Sequence, residues 1–189
     1  MTDAFAILGL PRQAALDGES LRQAYAARSR AAHPDHGGDE QQAAEVNQAY
    51  ETLRAPEKRL RHLLELVAPK DEKQWRTVPM DESMMSHFSM LGKALESSAK
   101  FLERKHEAQS AIAKALLASG EMQHREALER IGMELEGRRI EMEARLSEID
   151  AALHANDATI WKQVAILQAR FAYLGKWQTQ IRERLILLM

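Results

Sequence analysis

The sequence contains no cysteine, which removes disulfides, zinc knuckles and thiolate-held clusters from consideration. Aromatic residues supply only 5% of it, too few for the packed faces of a β-sandwich or barrel; the abundance of Ala, Leu, Glu, Gln and Arg favours helices. An excess of one charge is also missing. With 26 Lys and Arg against 28 Asp and Glu, the formal charge is −2, so no global attraction draws the chain to nucleic acid or a membrane surface. No apolar run approaches a membrane span. Residues 4–10 follow Asp3 and are too short for a signal-peptide core. A cytoplasmic protein is expected.

Proline is absent after position 79, while Pro11, Pro34, Pro56, Pro69 and Pro79 all lie before it. Because proline breaks helix interiors, short helices with defined corners are expected first and long helices afterwards. The fold class is therefore all-α. Residues 1–68 form a domain built on a helical hairpin, residues 69–80 a polar linker, and residues 81–189 an antiparallel bundle of three long helices.

Apolar spacing predicts helices over residues 4–8, 19–32 and 39–54, and a fourth beginning at Pro56. Asp17 or Ser20 would cap the second. In the later part, Phe88, Leu91, Leu95, Leu102, Ile112 and Leu116 mark a helix over 81–118, broken by Ser119-Gly120. A second follows over 121–155 and ends at Asn156-Asp157. The third carries Ile160, Val164, Leu167, Phe171, Leu174, Gln178, Ile181, Leu185 and Leu188, a coiled-coil-like seam.

Between the second and third helices stands His33-Pro34-Asp35-His36-Gly37-Gly38. Pro34 cannot continue the preceding helix and biases His33 away from helical backbone; the glycine pair lets the chain reverse. An imidazole and a carboxylate are thus displayed on a rigid tip. The helix leading into it carries Arg22, Arg28 and Arg30 against Glu19, a basic surface suited to an acidic partner.

Together, Asp3-Ala4-Phe5-Ala6-Ile7-Leu8-Gly9-Leu10-Pro11, the Arg-bearing helix, His33-Pro34-Asp35 and the run from Val46 to Leu53 resemble a J-domain over about the first 68 residues. The resemblance implies engagement of a DnaK-type chaperone and stimulation of its ATPase, with His33, Pro34 and Asp35 indispensable. His36 departs from the Lys or Arg that many J-domains place there and is mostly uncharged near neutral pH.

The wording Asn47-Gln48-Ala49-Tyr50-Glu51-Thr52-Leu53-Arg54-Ala55-Pro56, with Leu63-Leu64 and Leu66 following, is similar to the HscB family, the J-type co-chaperones of iron–sulfur cluster assembly. A Gly/Phe-rich linker and zinc-binding repeats are absent. The likeness implies that the bundle binds an IscU-type scaffold through Met84, Met85 and Phe88, with Glu96 and, on the last helix, Phe171. Ser89 and Gly92 stand where that family has acidic residues. Two other readings keep their place: an adaptor for a different client, and a structural coiled coil self-associating through the seam.

No Gly-rich phosphate loop, nucleophile elbow or pair of carboxylates bracketing a cleft is present. No catalytic residue, cofactor or metal site is assigned, and the chain would act on its partner's ATPase cycle without doing chemistry itself.

Overall fold

The computed structural model describes residues 2–33, 38–68, 78–155 and 160–189. Among them stand eight helices and no strand: α1 (Ala4–Leu8), α2 (Gly18–Ala31), α3 (Glu40–Leu53), α4 (Pro56–Val67), α5 (Glu82–Glu107), α6 (Ala111–Ala144), α7 (Leu146–His154) and α8 (Ile160–Leu187). The all-α fold expected from composition is the one observed. Residues 69–77 of the expected linker and the expected cap Asn156-Asp157 lie outside the described residues.

Aspartates set the helix starts. Asp3, Asp17, Asp39 and Asp81 sit in extended backbone before α1, α2, α3 and α5, each accepting backbone N–H bonds from the first turn. Pro56 opens α4, where its missing N–H costs nothing. Gly9 ends α1 at φ 70°, a left-handed conformation that glycine adopts without strain.

The chain divides into two compact units. The first joins Met1–Val78 to Met142–Phe171. In it α1 and α2 pack on α3, and α4 packs on α3 from beyond the next corner. Phe5, Leu8, Leu21, Val46, Leu53 and Leu63 share one core with Leu146, Ile149, Val164 and Phe171, so α7 and the first half of α8 complete the interior of the N-terminal helices.

Three polar side chains pin that interior. Arg59, 5% exposed, donates to the carbonyls of Ala14 and Leu53, both at 2.7 Å. Burial lowers its pKa, opposed by Glu143, Asp150 and Glu57. The Asp150 carboxylate accepts the N–H groups of Ala14 and Ala15 at 2.6 and 2.8 Å, fixing the loop ahead of α2. His62 accepts the Ala4 N–H at 3.0 Å and stacks on Phe5.

The second unit comprises Pro79–Glu141 and Ala172–Met189. Phe101 meets His124 and Lys105 pairs with Glu121, so α5 and α6 are antiparallel. Glu136 binds Gln178 and Gly132 faces Ile181, so α8 runs back along α6. Arg184 donates to the Leu95 carbonyl and to Ser98 Oγ at 2.8 and 3.0 Å, tying α8 to α5 in parallel. This is the expected up-down-up bundle.

The break in it is displaced from its expected place. The first long helix ends at Glu107, not at 118, and Gly120 lies inside α6. Ser110 accepts the Ala113 N–H and starts the new helix. Gly120 serves packing instead: a Cβ there would approach the Phe101 ring to 2.9 Å. Ile112 and Leu116, expected on the buried face of α5, therefore belong to α6 and are 76% and 78% exposed. The helix expected over 121–155 is also interrupted, at Arg145.

The α8 seam packs inward as expected. Ile160, Val164, Leu167, Phe171, Leu174, Ile181 and Leu188 are buried, and half-buried Gln178 satisfies its amide on Glu136.

Candidate functional site

Two places hold the candidate residues. The first is the tip of the α2–α3 hairpin. Tyr25 stacks on Tyr50 with ring centroids 4.3 Å apart, and its hydroxyl donates to Asn47 Oδ1 at 2.8 Å, clamping the two helices halfway along. At the far end α2 closes with the Ala32 N–H on the Arg28 carbonyl and the His33 N–H on the Arg30 carbonyl. The Gly38 N–H returns to the His33 carbonyl at 3.1 Å, and Asp39 caps α3 through the Gln42 N–H. A side chain at position 38 would collide with the Ala32 carbonyl, so glycine is required there by close approach. These bonds tie together the two ends of the tip. His33 stands exposed at its start; Pro34, Asp35 and His36 lie outside the described residues.

The three arginines do not lie on one strip of α2. Arg22, Ala26 and Arg30 follow at four-residue spacing and share an exposed strip of α2. Arg22 pairs with Glu19 at 2.8 Å, holding that carboxylate below its ordinary pKa, and the Arg30 Nε donates to the Ala26 carbonyl. Arg28 lies on another side, where its guanidinium covers the Gly9 turn, 2.9 Å from the place a Cβ would take.

The second place is the solvent-facing strip of α5. Met85 and Phe88 are 51% and 52% exposed. Ser89, Gly92 and Glu96 continue the strip at helical spacing and are exposed too. Glu96 is held by Lys100 at 2.7 Å, which lowers its pKa through the hydrogen bond and the nearby charge. Two of the expected residues are instead interior. Met84 is buried, with its N–H on the Asp81 cap, and Phe171 is 2% exposed, within the core of the first unit.

The structure adds aromatic support that the sequence reading missed. Trp177 lies behind Phe88, centroids 6.2 Å apart, and Tyr173 stacks on Trp177 at 5.9 Å. The four-residue spacing of Tyr173 and Trp177 was the available signal. Among the described residues no three His, Asp or Glu side chains gather as metal ligands, and no helix is long and apolar enough to cross a membrane.

Residues 3–62 match the DnaJ domain family, which makes the first part of the chain a J-domain. A 58-residue stretch is 43% identical to chaperone protein dnaJ A6 of Oryza sativa subsp. japonica and 47% identical to chaperone protein dnaJ 2 of Arabidopsis thaliana. Each match takes in 31% of this chain but only 14% and 13% of those longer proteins. Among solved structures, chaperone HscB from Vibrio cholerae is similar over 100% of both chains, with a TM-score of 0.59 at 23% identity. Human co-chaperone HscB is similar over 97% of this chain and 84% of its own, with a TM-score of 0.52 at 19% identity. The whole chain thus has the HscB fold, a J-domain followed by a helical bundle.

Proposed function

We propose that this J-domain protein is a co-chaperone that stimulates the ATPase of a DnaK/HscA-type chaperone and delivers an IscU-type iron–sulfur scaffold to it. One observation carries the reading: a DnaJ-domain match at residues 3–62 sits in a chain whose fold parallels that of HscB from end to end. In this reading His33, Pro34 and Asp35 dock on the chaperone, with Arg22 and Arg30 steering the encounter from the exposed strip of α2. Arg28 supports the Gly9 turn beside them. Met85 and Phe88 contact the scaffold, Glu96 supplies a charge at the edge, Met84 supports that strip from inside the bundle, and Phe171 packs in the core of the first unit. ATP is hydrolysed by the partner, and the setting is the cytoplasm.

The test has two parts. His33→Gln should abolish stimulation of the chaperone's ATPase while leaving helicity and thermal unfolding unchanged; equal stimulation by both proteins would refute the docking role. Immobilised protein should retain an IscU-type scaffold, and Phe88→Ala should release it. A second reading has its own support: with Ser89 and Gly92 on the α5 strip, Glu96 alone remains of the acidic residues that the HscB likeness implies. ATPase stimulation without scaffold retention would assign the bundle to another client. Self-association through the α8 seam has lost its basis, since that seam is occupied within the chain.

A further inference from the structure

Helix α6 carries apolar residues on two opposite sides. Leu128, Ile131 and Leu135 face the bundle interior. Ile112, Leu116, Met122, Met133 and Ile140 are all exposed; at 100° per residue Met122, Met133 and Ile140 stand about 150–170° from the mean direction of that buried stripe, Ile112 about 130° and Leu116 about 90°. A helix that packs on one face of a bundle needs one apolar stripe, not two. The outer stripe keeps the step of three and four: Ile112, Leu116, Ser119, Met122, Glu126, Arg130, Met133, Gly137, Ile140, every one exposed.

The order of residues along that stripe is self-complementary about the level of position 128. Reversed on itself, it sets Leu116 against Ile140, Ser119 against Gly137, Met122 and Gln123 beside Met133, and Glu126 against Arg130. A parallel pairing would instead oppose Glu126 to Glu126 and Arg130 to Arg130. No atom lies within 4 Å of the Cβ position of Gly137, so two backbones can approach there with Ser119 opposite. Two Glu126–Arg130 pairs would fall beside the dyad, and the apolar pairs on either side of it.

We propose that the outer stripe of α6 binds a second copy of this chain, forming an antiparallel, two-fold symmetric dimer centred between Glu126 and Arg130. Such an interface is isologous, so each contact occurs twice. The paired stripe from Leu116 to Ile140 is about 36 Å long at 1.5 Å per residue and roughly 10 Å wide. That footprint, roughly 700–800 Å² over both copies, is below the size of stable specific interfaces, so the dimer is weak, concentration-dependent and in exchange with monomer.

The experiment is sedimentation velocity on the full chain over a concentration series, with circular dichroism to verify the fold of each variant. Wild type should pass from monomer to dimer as concentration rises. Glu126→Arg, which gathers four arginines at the dyad, should weaken the dimer on the order of tenfold or more. Glu126→Arg combined with Arg130→Glu should restore it, because the swapped charges are again complementary. Monomer at every concentration would overturn the proposal, as would a dimer indifferent to Glu126→Arg or not rescued by the swap. Loss of chaperone or scaffold binding on stripe substitution in a strictly monomeric protein would also overturn it, assigning the face to a different partner.

Discussion

Asp150 accepts the backbone N–H of Ala14 at 2.6 Å across 136 residues of sequence, and holds that of Ala15 with its second oxygen. The loop ahead of α2, and with it the start of the hairpin, is set by a carboxylate on α7. Asp150→Ala leaves two N–H groups without their charged acceptor, and the first unit should lose about 2–3 kcal/mol. Asp150→Asn, which keeps one acceptor oxygen, should lose less. Urea unfolding followed by circular dichroism measures both; equal stabilities for the three proteins would contradict the assignment.

Two helix-interior glycines should respond to alanine with opposite signs. At Gly175 nothing lies within 4 Å of the Cβ position, so Gly175→Ala should raise stability by about 1 kcal/mol through helix propensity. At Gly120 the new methyl meets the buried Phe101 ring. The overpacking cost of about 1–3 kcal/mol outweighs the propensity gain. Thermal unfolding of the pair decides it, and a stabilising Gly120→Ala would show that the ring moves freely.

His62 ties stability to pH. Burial lowers its pKa below the ordinary 6.5, with nearby Asp3 acting in the other direction. The unfolded chain therefore takes up this proton first. The contribution of neutral His62 is fully present above about pH 6.5 and is lost as pH falls through the lower folded value. Protonation also removes the lone pair that accepts the Ala4 N–H. His62→Leu should flatten the stability profile over that range and lower its plateau. An unchanged slope between pH 7 and 5 would remove His62 from this role.

Phe88 and Phe171 test the difference between a contact residue and a core residue. Phe88→Ala should change stability by less than about 0.5 kcal/mol yet weaken scaffold binding roughly 5- to 30-fold. Phe171→Ala should cost about 3–5 kcal/mol of stability and reduce binding only through unfolding. Calorimetric titration alongside urea denaturation separates the two. The reverse pattern would move the contact surface to Phe171.

What the sequence disclosed follows the range of the interactions. Helix starts were legible because each depends on an aspartate and the three residues after it, as at Asp17 and Asp39. The α8 seam was legible because its period is local. The corner at residues 108–110 was not, since Ala108, Gln109 and Ser110 include no strong breaker, whereas Gly120 looks like one and serves Phe101 instead. The hairpin tip announced itself as a motif. The separation of Arg28 from Arg22 and Arg30 follows from the turn of the helix and from Gly9 in another element. Asp150, Arg59 and His62 bond to backbone groups 45–136 residues away, and no local pattern betrays such partners.

The first unit is discontinuous, since residues 142–171 complete the interior begun by the N-terminal helices. That arrangement gives synthesis an order. At about 5–20 residues per second, the ribosome finishes the hairpin on the order of 5–20 s before it finishes the segment that covers it. During that interval the Ala14 and Ala15 N–H groups wait for Asp150 and the core lacks Leu146, Ile149, Val164 and Phe171, and closing so long a loop adds its own entropic delay. The nascent J-domain thus passes through a period of exposed apolar surface before its own distal segment covers it.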